Sequence, residues 1–445
     1  SRADYETDPT INYTPISYRD VTAVRLSTSY EKEAGNSLTT ITPYLRHNTM
    51  EMLPNWSLSY DPTIYETFND SLGMLIKHRM GSNNGSKLIV GADIDYSPGG
   101  RDEVEIDAPK VNGIYTSYTE LGTLYDYDVT FSSLSPYVHG EMALGSHARL
   151  SAGLRYDMMR YDYDTALAPQ EIIDPNHKIP EDTVIRYRHA SPKLGIVYNF
   201  SKKQEAFFSY RHGFRAPSEG KLFRQGSSFN TVDLEPVKLN SVEIGWRWRP
   251  ADKTVTELSI YSMKKTDDIL TFQNPVTNQR EVVNAGETSH QGVELLLGLP
   301  VAGKVHFDAA WSYALHTYED WVARSGGTNY DYSGNRMAYA PRVLGNTRLR
   351  YGDVDKFNAE VEWTHVGPYQ TDDANTHKYE GHGLLGMSVN IPLSSYWKIK
   401  LRGHNLNERL YAERASYNSF RGEEFSPGMS RTVYLSLSWQ WQEEK

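Results

Sequence analysis

Hydrophobic and polar residues alternate strictly near the end of the chain. The segment Ser430–Trp441 places Val433, Leu435, Leu437, Trp439 and Trp441 on one side of an extended backbone, and Thr432, Tyr434, Ser436, Ser438 and Gln440 on the other. A β-strand is the structure with this period of two. Its apolar face needs a cover. In a soluble sheet a second layer supplies one, whereas a transmembrane β-barrel turns that face to lipid.

The same alternation recurs along the chain, for example in Val242–Trp248, Phe357–Thr364 and Trp397–Arg402. Charged residues lie on the side opposite the apolar ones, and we expect them to face a wet lumen or a plug. They are Glu243, Arg247, Glu360, Glu362, Lys398, Lys400 and Arg402. The pattern predicts an all-β protein, and specifically a transmembrane antiparallel up-and-down β-barrel.

Short turns and long polar loops alternate between the predicted strands. The long loops cover roughly 99–126, 164–186, 216–236, 267–285, 318–337, 370–378 and 412–429. Bacterial outer-membrane barrels have this asymmetry, with short periplasmic turns and long extracellular loops. We count about seventeen strands within residues 19–442, and 1–18 is predicted to be an extracellular loop. Because single-chain bacterial barrels have even strand numbers, we expect at least one more strand before Ser1.

The composition excludes several classes of protein. The chain has 445 residues, of which 39% are hydrophobic, and no run of 18 apolar residues, so helical membrane spans are not predicted. It contains no cysteine, which rules out thiolate metal sites and cysteine nucleophiles. Its net charge of -10 argues against nucleic acid as a partner. No catalytic motif is present, so we predict that the protein is not an enzyme and has no cofactor and no metal site.

The 32 tyrosines leave two interpretations open. One is a tyrosine-rich soluble β protein, and the other is a barrel with aromatic girdles at both membrane interfaces.

Five segments together resemble the C-terminal barrel of the TonB-dependent outer-membrane receptors. They are Asn405–Tyr411 and Pro427–Arg431 before the last strand, Gly213–Pro217 at a strand-to-loop junction, Asn284–Glu294, and Gly153–Asp157. Each lies on or beside a predicted strand, in the order that the family shows.

The resemblance implies a 22-stranded plugged barrel, of which this chain would supply strands 6–22 without the N-terminal plug domain or the first strands. It implies a location in the bacterial outer membrane, among lipid and lipopolysaccharide. It also implies active uptake of a ferric siderophore or a similar iron chelate. The implied partners are the TonB complex, reached through the missing N-terminal part, and the protein's own plug domain.

Other functions remain open at this point. The same fold imports haem, cobalamin, other cofactors and sugars. A passive porin of about 18 strands, with residues 1–18 adding one strand, is a second alternative. A soluble all-β binding protein is a third.

Aromatic and basic residues in or beside the predicted loops, or facing the lumen, are the candidate ligand-binding residues, because arginine offers a planar fork to anionic chelates. They are Arg160, Tyr161, Tyr163, Arg211, His212, Arg215, Arg224, Tyr330, Tyr332, Arg336, Tyr369 and His377. The alternative roles of these residues are plain loop surface and, for Arg211, His212 and Arg215, a brace for the loop and plug.

The acidic run Asp102–Asp107 lies within a predicted loop. We expect it to be a solvated loop or a contact to divalent-bridged lipopolysaccharide, with direct binding of a divalent cation as the alternative.

Overall fold

The computed structural model describes residues 1–168, 177–228, 230–251, 253–273, 280–325, 328–353, 356–418 and 421–440. The predicted last position of the final strand, Trp441, lies outside these residues, as do Asp252, Val354 and Asp355 of two predicted turns.

Nearly all regular structure is β. The helices among the described residues are α1 (Arg2–Thr7), α2 (Glu219–Leu222) and a 3-10 turn (Thr231–Asp233). None of the described helices is long and apolar enough to cross a membrane. The strands are β1 (Tyr18–Ser27), β2 (Tyr30–Ala34), β3 (Ser37–Leu53), β4 (Thr63–Gly81), β5 (Lys87–Asp107), β6 (Lys110–Val111), β7 (Ile114–Tyr115), β8 (Thr119–Leu144), β9 (Ala148–Thr165), β10 (Thr183–Ser201), β11 (Gln204–Arg215), β12 (Val237–Trp248), β13 (Val255–Gln273), β14 (Arg280–Ala302), β15 (Val305–Asp320), β16 (Val322–Ser325), β17 (Thr328–Asp331), β18 (Val343–Gly352), β19 (Asn358–Val366), β20 (Tyr369–Gln370), β21 (Lys378–Tyr379), β22 (His382–Pro392), β23 (Trp397–His404), β24 (Ala412–Asn418), β25 (Gly422–Pro427) and β26 (Thr432–Trp439).

One antiparallel sheet forms the wall of the molecule. It contains 18 strand segments, and from β3 onward each segment pairs with the segments before and after it in chain order. The segments β1 and β2 pair with successive parts of β3, so they share one place in the sheet and the described wall has seventeen strand positions. This confirms the predicted antiparallel up-and-down barrel and its strand count. The hairpins β6–β7, β16–β17, β20–β21 and β24–β25 lie outside the wall, in the long connections.

The two faces of the wall differ as the alternation predicts. On β26, Val433, Leu435 and Leu437 are 59–73% exposed on one face, as expected of side chains turned to lipid. On the opposite face, ion pairs connect neighbouring strands: Arg247 contacts Glu205 and Glu257. Arg348 with Glu362, and Arg350 with Asp308, continue the same pattern on later strands.

The outermost strands of the sheet each have one described neighbour. On one side, β1 and β2 pair only with β3, and on the other side β26 pairs only with β23. The helix α1 contacts the connection that precedes β26. Tyr5 stacks on Phe425 with ring centroids 4.6 Å apart, and Arg2 Nη2 donates to Glu423 Oε1 at 2.7 Å. The sequence predicts a loop for residues 1–18 and does not predict the helix α1.

The predicted loop 99–126 is largely strand. β5 continues to Asp107 and β8 begins at Thr119, and their ladder reaches from Lys87↔Glu141 to Asp107↔Thr119. The interpretation of Asp102–Asp107 as a solvated loop is therefore wrong. The run is part of β5, which pairs with β4 on one side and β8 on the other. Glu103 is completely buried there.

Candidate functional site

The connection after β11 folds back onto the inner face of the wall. Its short helix α2 places Leu222 and Phe223 in a hydrophobic cluster, where both are 0% exposed. Phe223 stacks on Tyr163 at 4.3 Å between ring centroids and meets Tyr127 edge-on at 6.2 Å. Burial of two large side chains, each worth about 1.5–3 kcal/mol, fixes this connection at the end of the wall that carries the long loops, hereafter the outer end.

Arg224, which follows Phe223, enters a buried ionic network. Its Nε donates to both carboxylate oxygens of Glu103, at 2.9 and 2.8 Å, and its Nη2 donates to Asp61 at 2.9 Å. Arg101 Nε contacts the same Glu103 carboxylate at 2.7 Å. His177 Nε2 lies 3.0 Å from the second oxygen of Asp61. Four separate parts of the chain are thereby joined, and the charge of Arg224 is balanced.

Two carboxyl groups beside α2 have altered acidity. Burial alone would raise the pKa of Asp61, but its hydrogen bonds with His177 and Arg224 prevail and hold that pKa at about 2. Burial raises the pKa of Glu219 above its ordinary value, although the Tyr127 hydroxyl hydrogen-bonds to its carboxylate. The two groups therefore favour opposite protonation states.

A cavity of about 620 Å³, hereafter the outer cavity, lies between this connection, Asp61, and the outer parts of β13, β14 and β16. Arg224, Asp61, Lys221 and Arg324 all line it, and we call the ionic network of Arg224, Asp61 and Glu103 the floor, and Lys221 with Arg324 the rim. No described residue forms an ion pair or a side-chain hydrogen bond with Lys221 or Arg324. The Nε of Arg324 is buried without a partner. The rim therefore presents positive charge that the described protein leaves unbalanced.

Three of the sequence-predicted residues meet beside the outer cavity. Arg224 lines it, and Tyr161 and Tyr163 pack against Phe223 below it. Tyr163 is 1% exposed, so its ring supports the cavity wall and offers no surface to a ligand.

Four other predicted residues lie on the strands β9 and β11 and do not line the outer cavity. Arg160 lies on the apolar face of β9, paired with Asp162. Arg211 and Arg215 are exposed on the face of β11 that also carries Phe207. His212 Nε2 lies 2.8 Å from His189 Nε2.

The remaining candidates belong to later connections. Tyr330 and Tyr332 stack at 6.1 Å, and the main chain of Arg336 is held by Asn375. His377 stacks on Tyr417 at 3.5 Å, and the Tyr369 hydroxyl accepts from the Ala415 N–H at 2.9 Å. The structure does not gather these residues with Arg224, and their role in binding stays a prediction.

Sequence reasoning missed Asp61, Glu103, Lys221 and Arg324. A buried carboxylate inside an acidic run has no local signature, because its partner is 121 residues away. One signal was available: Lys221 and Arg224 flank the apolar pair Leu222 and Phe223, a pattern typical of a short helix with one buried face.

Comparison with known proteins identifies the family. The family model described as "TonB dependent receptor-like, beta-barrel" matches residues 1–406. The chain belongs to the TonB-dependent receptors. The resemblance in the motifs is thereby confirmed, and so is the assignment to a family of outer-membrane transport receptors and not of enzymes.

Two of the similar proteins are receptors named for siderophores. The catecholate siderophore receptor Fiu of Escherichia coli O6:H1 is 20% identical over 323 residues, which cover 68% of this chain and 41% of that protein. The ferric aerobactin receptor of Escherichia coli is 23% identical over 207 residues, covering 40% of this chain and 28% of the relative. The chain thus spans about two fifths of the length of the first of these receptors.

A solved structure shows the same fold. The ferric citrate transporter FecA without ligand aligns with a TM-score of 0.77 and 16% identity, covering 99% of this chain and 64% of that one.

Proposed function

We propose that this barrel is part of an outer-membrane receptor for an anionic ferric chelate, most simply a ferric siderophore, whose uptake is driven through TonB. The observation that carries the proposal is the outer cavity, whose rim holds Lys221 and Arg324 without acidic partners. A siderophore complex that carries negative charge would supply the missing balance, and arginine can hold its oxygens with two parallel hydrogen bonds. Relatives named for catecholate siderophores and ferric aerobactin support the same ligand class.

Transport would combine two parts of the protein. The outer loops bind the chelate, and energy passed from the inner membrane through TonB moves a plug and releases the chelate inward. The inner face, with its ion pairs from Arg247, Arg348 and Arg350, gives such a plug a polar surface to slide against. Membership in the receptor family favours this mechanism over a passive porin or a soluble binding protein.

Removal of the rim charges tests the ligand class. The double variant K221Q/R324Q should bind a ferric tris-catecholate about 100–10,000-fold more weakly, since it removes two charge-assisted hydrogen bonds worth roughly 1.5–3 kcal/mol each and every 1.4 kcal/mol is tenfold in affinity. Quenching of tryptophan fluorescence in the detergent-purified receptor measures the affinity. The matched control is K378Q/R421Q, which removes one lysine and one arginine that are already ion-paired with Glu380 and Glu424.

Two results would count against the proposal. Undiminished binding of the tris-catecholate by K221Q/R324Q would show that Lys221 and Arg324 do not contribute to ligand binding. Tight binding of cobalamin or another neutral nutrient, unaffected by the double variant, would favour the alternative of a different cargo.

We also propose that the seventeen strand positions are strands 6–22 of a 22-stranded wall, with the plug outside this chain. The support is that β1 and β26 each lack a described neighbour on one side, and an unpaired strand edge in hydrocarbon is costly. Mass spectrometry of the barrel purified from outer membranes should find additional polypeptide, joined to or bound with this chain, sufficient for a plug and five strands. A closed barrel made by this chain alone would contradict the assignment.

A further inference from the structure

Four side chains able to bind a soft metal ion lie in one row across neighbouring strands. The antiparallel register places Met263 of β13 opposite His290 of β14, and His290 opposite His316 of β15. Beyond β15, Thr317 bridges to Arg336, and the N–H of Met337 donates to the carbonyl of His316 at 2.9 Å. Met337 therefore takes the next place in the row, which has the order thioether, imidazole, imidazole, thioether.

The row lies on the inner face of the wall. On the same three strands Ile260, Val293 and Tyr313 are exposed on the apolar face. Met263, His290 and His316 lie an odd number of residues from these along regularly paired strands, so they project from the opposite face. The members of the row are neither fully exposed nor fully buried, so an ion arriving through the lumen can reach them.

The two imidazoles converge. Their Nδ1 atoms are 2.8 Å apart, and the ring centroids are separated by 5.0 Å. The Nε2 of His290 lies 2.9 Å from the Thr288 hydroxyl. A partner at the second ring nitrogen is what fixes the orientation of a metal-binding histidine. If the two Nδ1 atoms move slightly further apart, an ion fits between them at about 2.0–2.1 Å from each.

The thioethers are within reach of the same point. Side chains directly opposite on antiparallel strands have Cβ atoms about 4.5–5.5 Å apart. Methionine has three rotatable bonds and a polarizable sulfur, so it can turn toward an ion held by the neighbouring histidine. The nearby carboxylate of Asp268 is engaged by Lys265. Among the described residues, no group of three or more histidine, aspartate or glutamate side chains could hold a metal ion, and the further donors that the row itself offers beside the imidazoles are the two thioethers.

We propose that Met263, His290, His316 and Met337 form a binding site for one soft transition-metal ion, with copper(I) preferred over zinc(II). Imidazole ligands suit both metals, whereas thioether sulfur selects copper(I), and neither suits the hard ions calcium and magnesium. The sequence conceals this site because only strand register brings the four residues together. The inference is independent of the anionic chelate proposed for the outer cavity.

Copper titration of the full protein in detergent tests the site. Copper(I), added anaerobically against a chromophoric competitor, should bind with one equivalent in the unmodified chain. The variants H290A and H316A should lose at least about tenfold in affinity. M263L and M337L conserve side-chain volume, and they should weaken copper(I) binding while leaving zinc(II) binding unchanged. X-ray absorption of the copper-loaded protein should show sulfur at the metal, and that signal should fall in M263L/M337L.

The chain provides a matched control in a second histidine pair. His189 and His212 also approach to 2.8 Å between ring nitrogens, but the residues opposite them in register are Asp157 and Asn240 and carry no sulfur. H189A should leave the tight copper(I) equivalent intact. Unchanged copper binding by H290A/H316A would overturn the site. Full copper(I) affinity in M263L/M337L would overturn the thioether assignment and reduce the row to a histidine pair.

Discussion

Arg224 and Arg324 line the same outer cavity, but their guanidinium groups have different surroundings. On the floor, Arg224 donates to Glu103 and Asp61 and lies beside the ring of Tyr125. At the rim, Arg324 has no described side-chain partner and its Nε is buried without one. An arginine in a receptor loop is thus not evidence of a ligand contact by itself. The balance of nearby charge separates a structural arginine from one available to an anion.

The floor is organised around Glu103. A buried carboxylate is costly unless it is paired and hydrogen-bonded, and here Arg224 and Arg101 supply both. The rim has no such compensation inside the protein. We infer that the floor maintains the loop structure and that the rim contributes mainly to binding.

Removal of the Glu103 carboxylate should have the largest effect on the floor. E103A leaves two arginines without their main partner, and we expect the outer loops to be destabilised by about 3–5 kcal/mol. Hydrogen exchange of the amides in 216–228 measures the free energy of local opening. K221Q/R324Q should change the same quantity by less than about 0.5 kcal/mol.

A paired replacement sharpens this result. In E103L/R224M the charges of Glu103 and Arg224 are gone and apolar volume takes their place, whereas Arg101 still lacks its partner. Amide protection in 216–228 should therefore recover part of what E103A loses. If E103A leaves that protection unchanged, the floor has no structural role and the contrast with the rim fails.

The wall was predictable from sequence and the cavity was not. Alternation in Thr432–Trp439 fixes which residues share a face, because lipid on one side and polar partners on the other repeat the same constraint at every second position. This constraint no longer applies where β5 and β8 continue past the part of the wall that has lipid on one side. There Asp102–Asp107 has the composition of a loop while it pairs as strand.

The outer cavity depends on contacts between distant segments. Asp61 meets His177 and Arg224 across 116 and 163 residues, and no local pattern encodes such a meeting. The aromatic residues Tyr161 and Tyr163 were singled out for ligand binding on composition, yet their rings pack in or against the cluster around Phe223. Both residues lie on β9 and not in a loop, and a tyrosine there serves a buried cluster as readily as a surface, since its ring is apolar.

The smallest expected effect comes from protonation of Asp61 and Glu219, which should act in opposite directions. The pKa of Asp61 is lowered from 3.8 to about 2, so its stabilising contribution is present above pH 3.8 and is lost as the pH falls toward 2. The pKa of Glu219 is raised above 4.5, so its contribution is present below pH 4.5 and is lost as the pH rises through the raised value. E219Q, which keeps a neutral acceptor for Tyr127, should therefore stabilise 216–228 at pH 7 and have little effect at pH 4. D61N should instead flatten the loss between pH 4 and pH 2. Hydrogen exchange, corrected at each pH for the intrinsic amide rate, measures both changes. Equal stabilisation by E219Q at pH 4 and pH 7 would show that the carboxyl of Glu219 does not change its protonation state between these pH values, and that only Asp61 makes the floor pH-dependent.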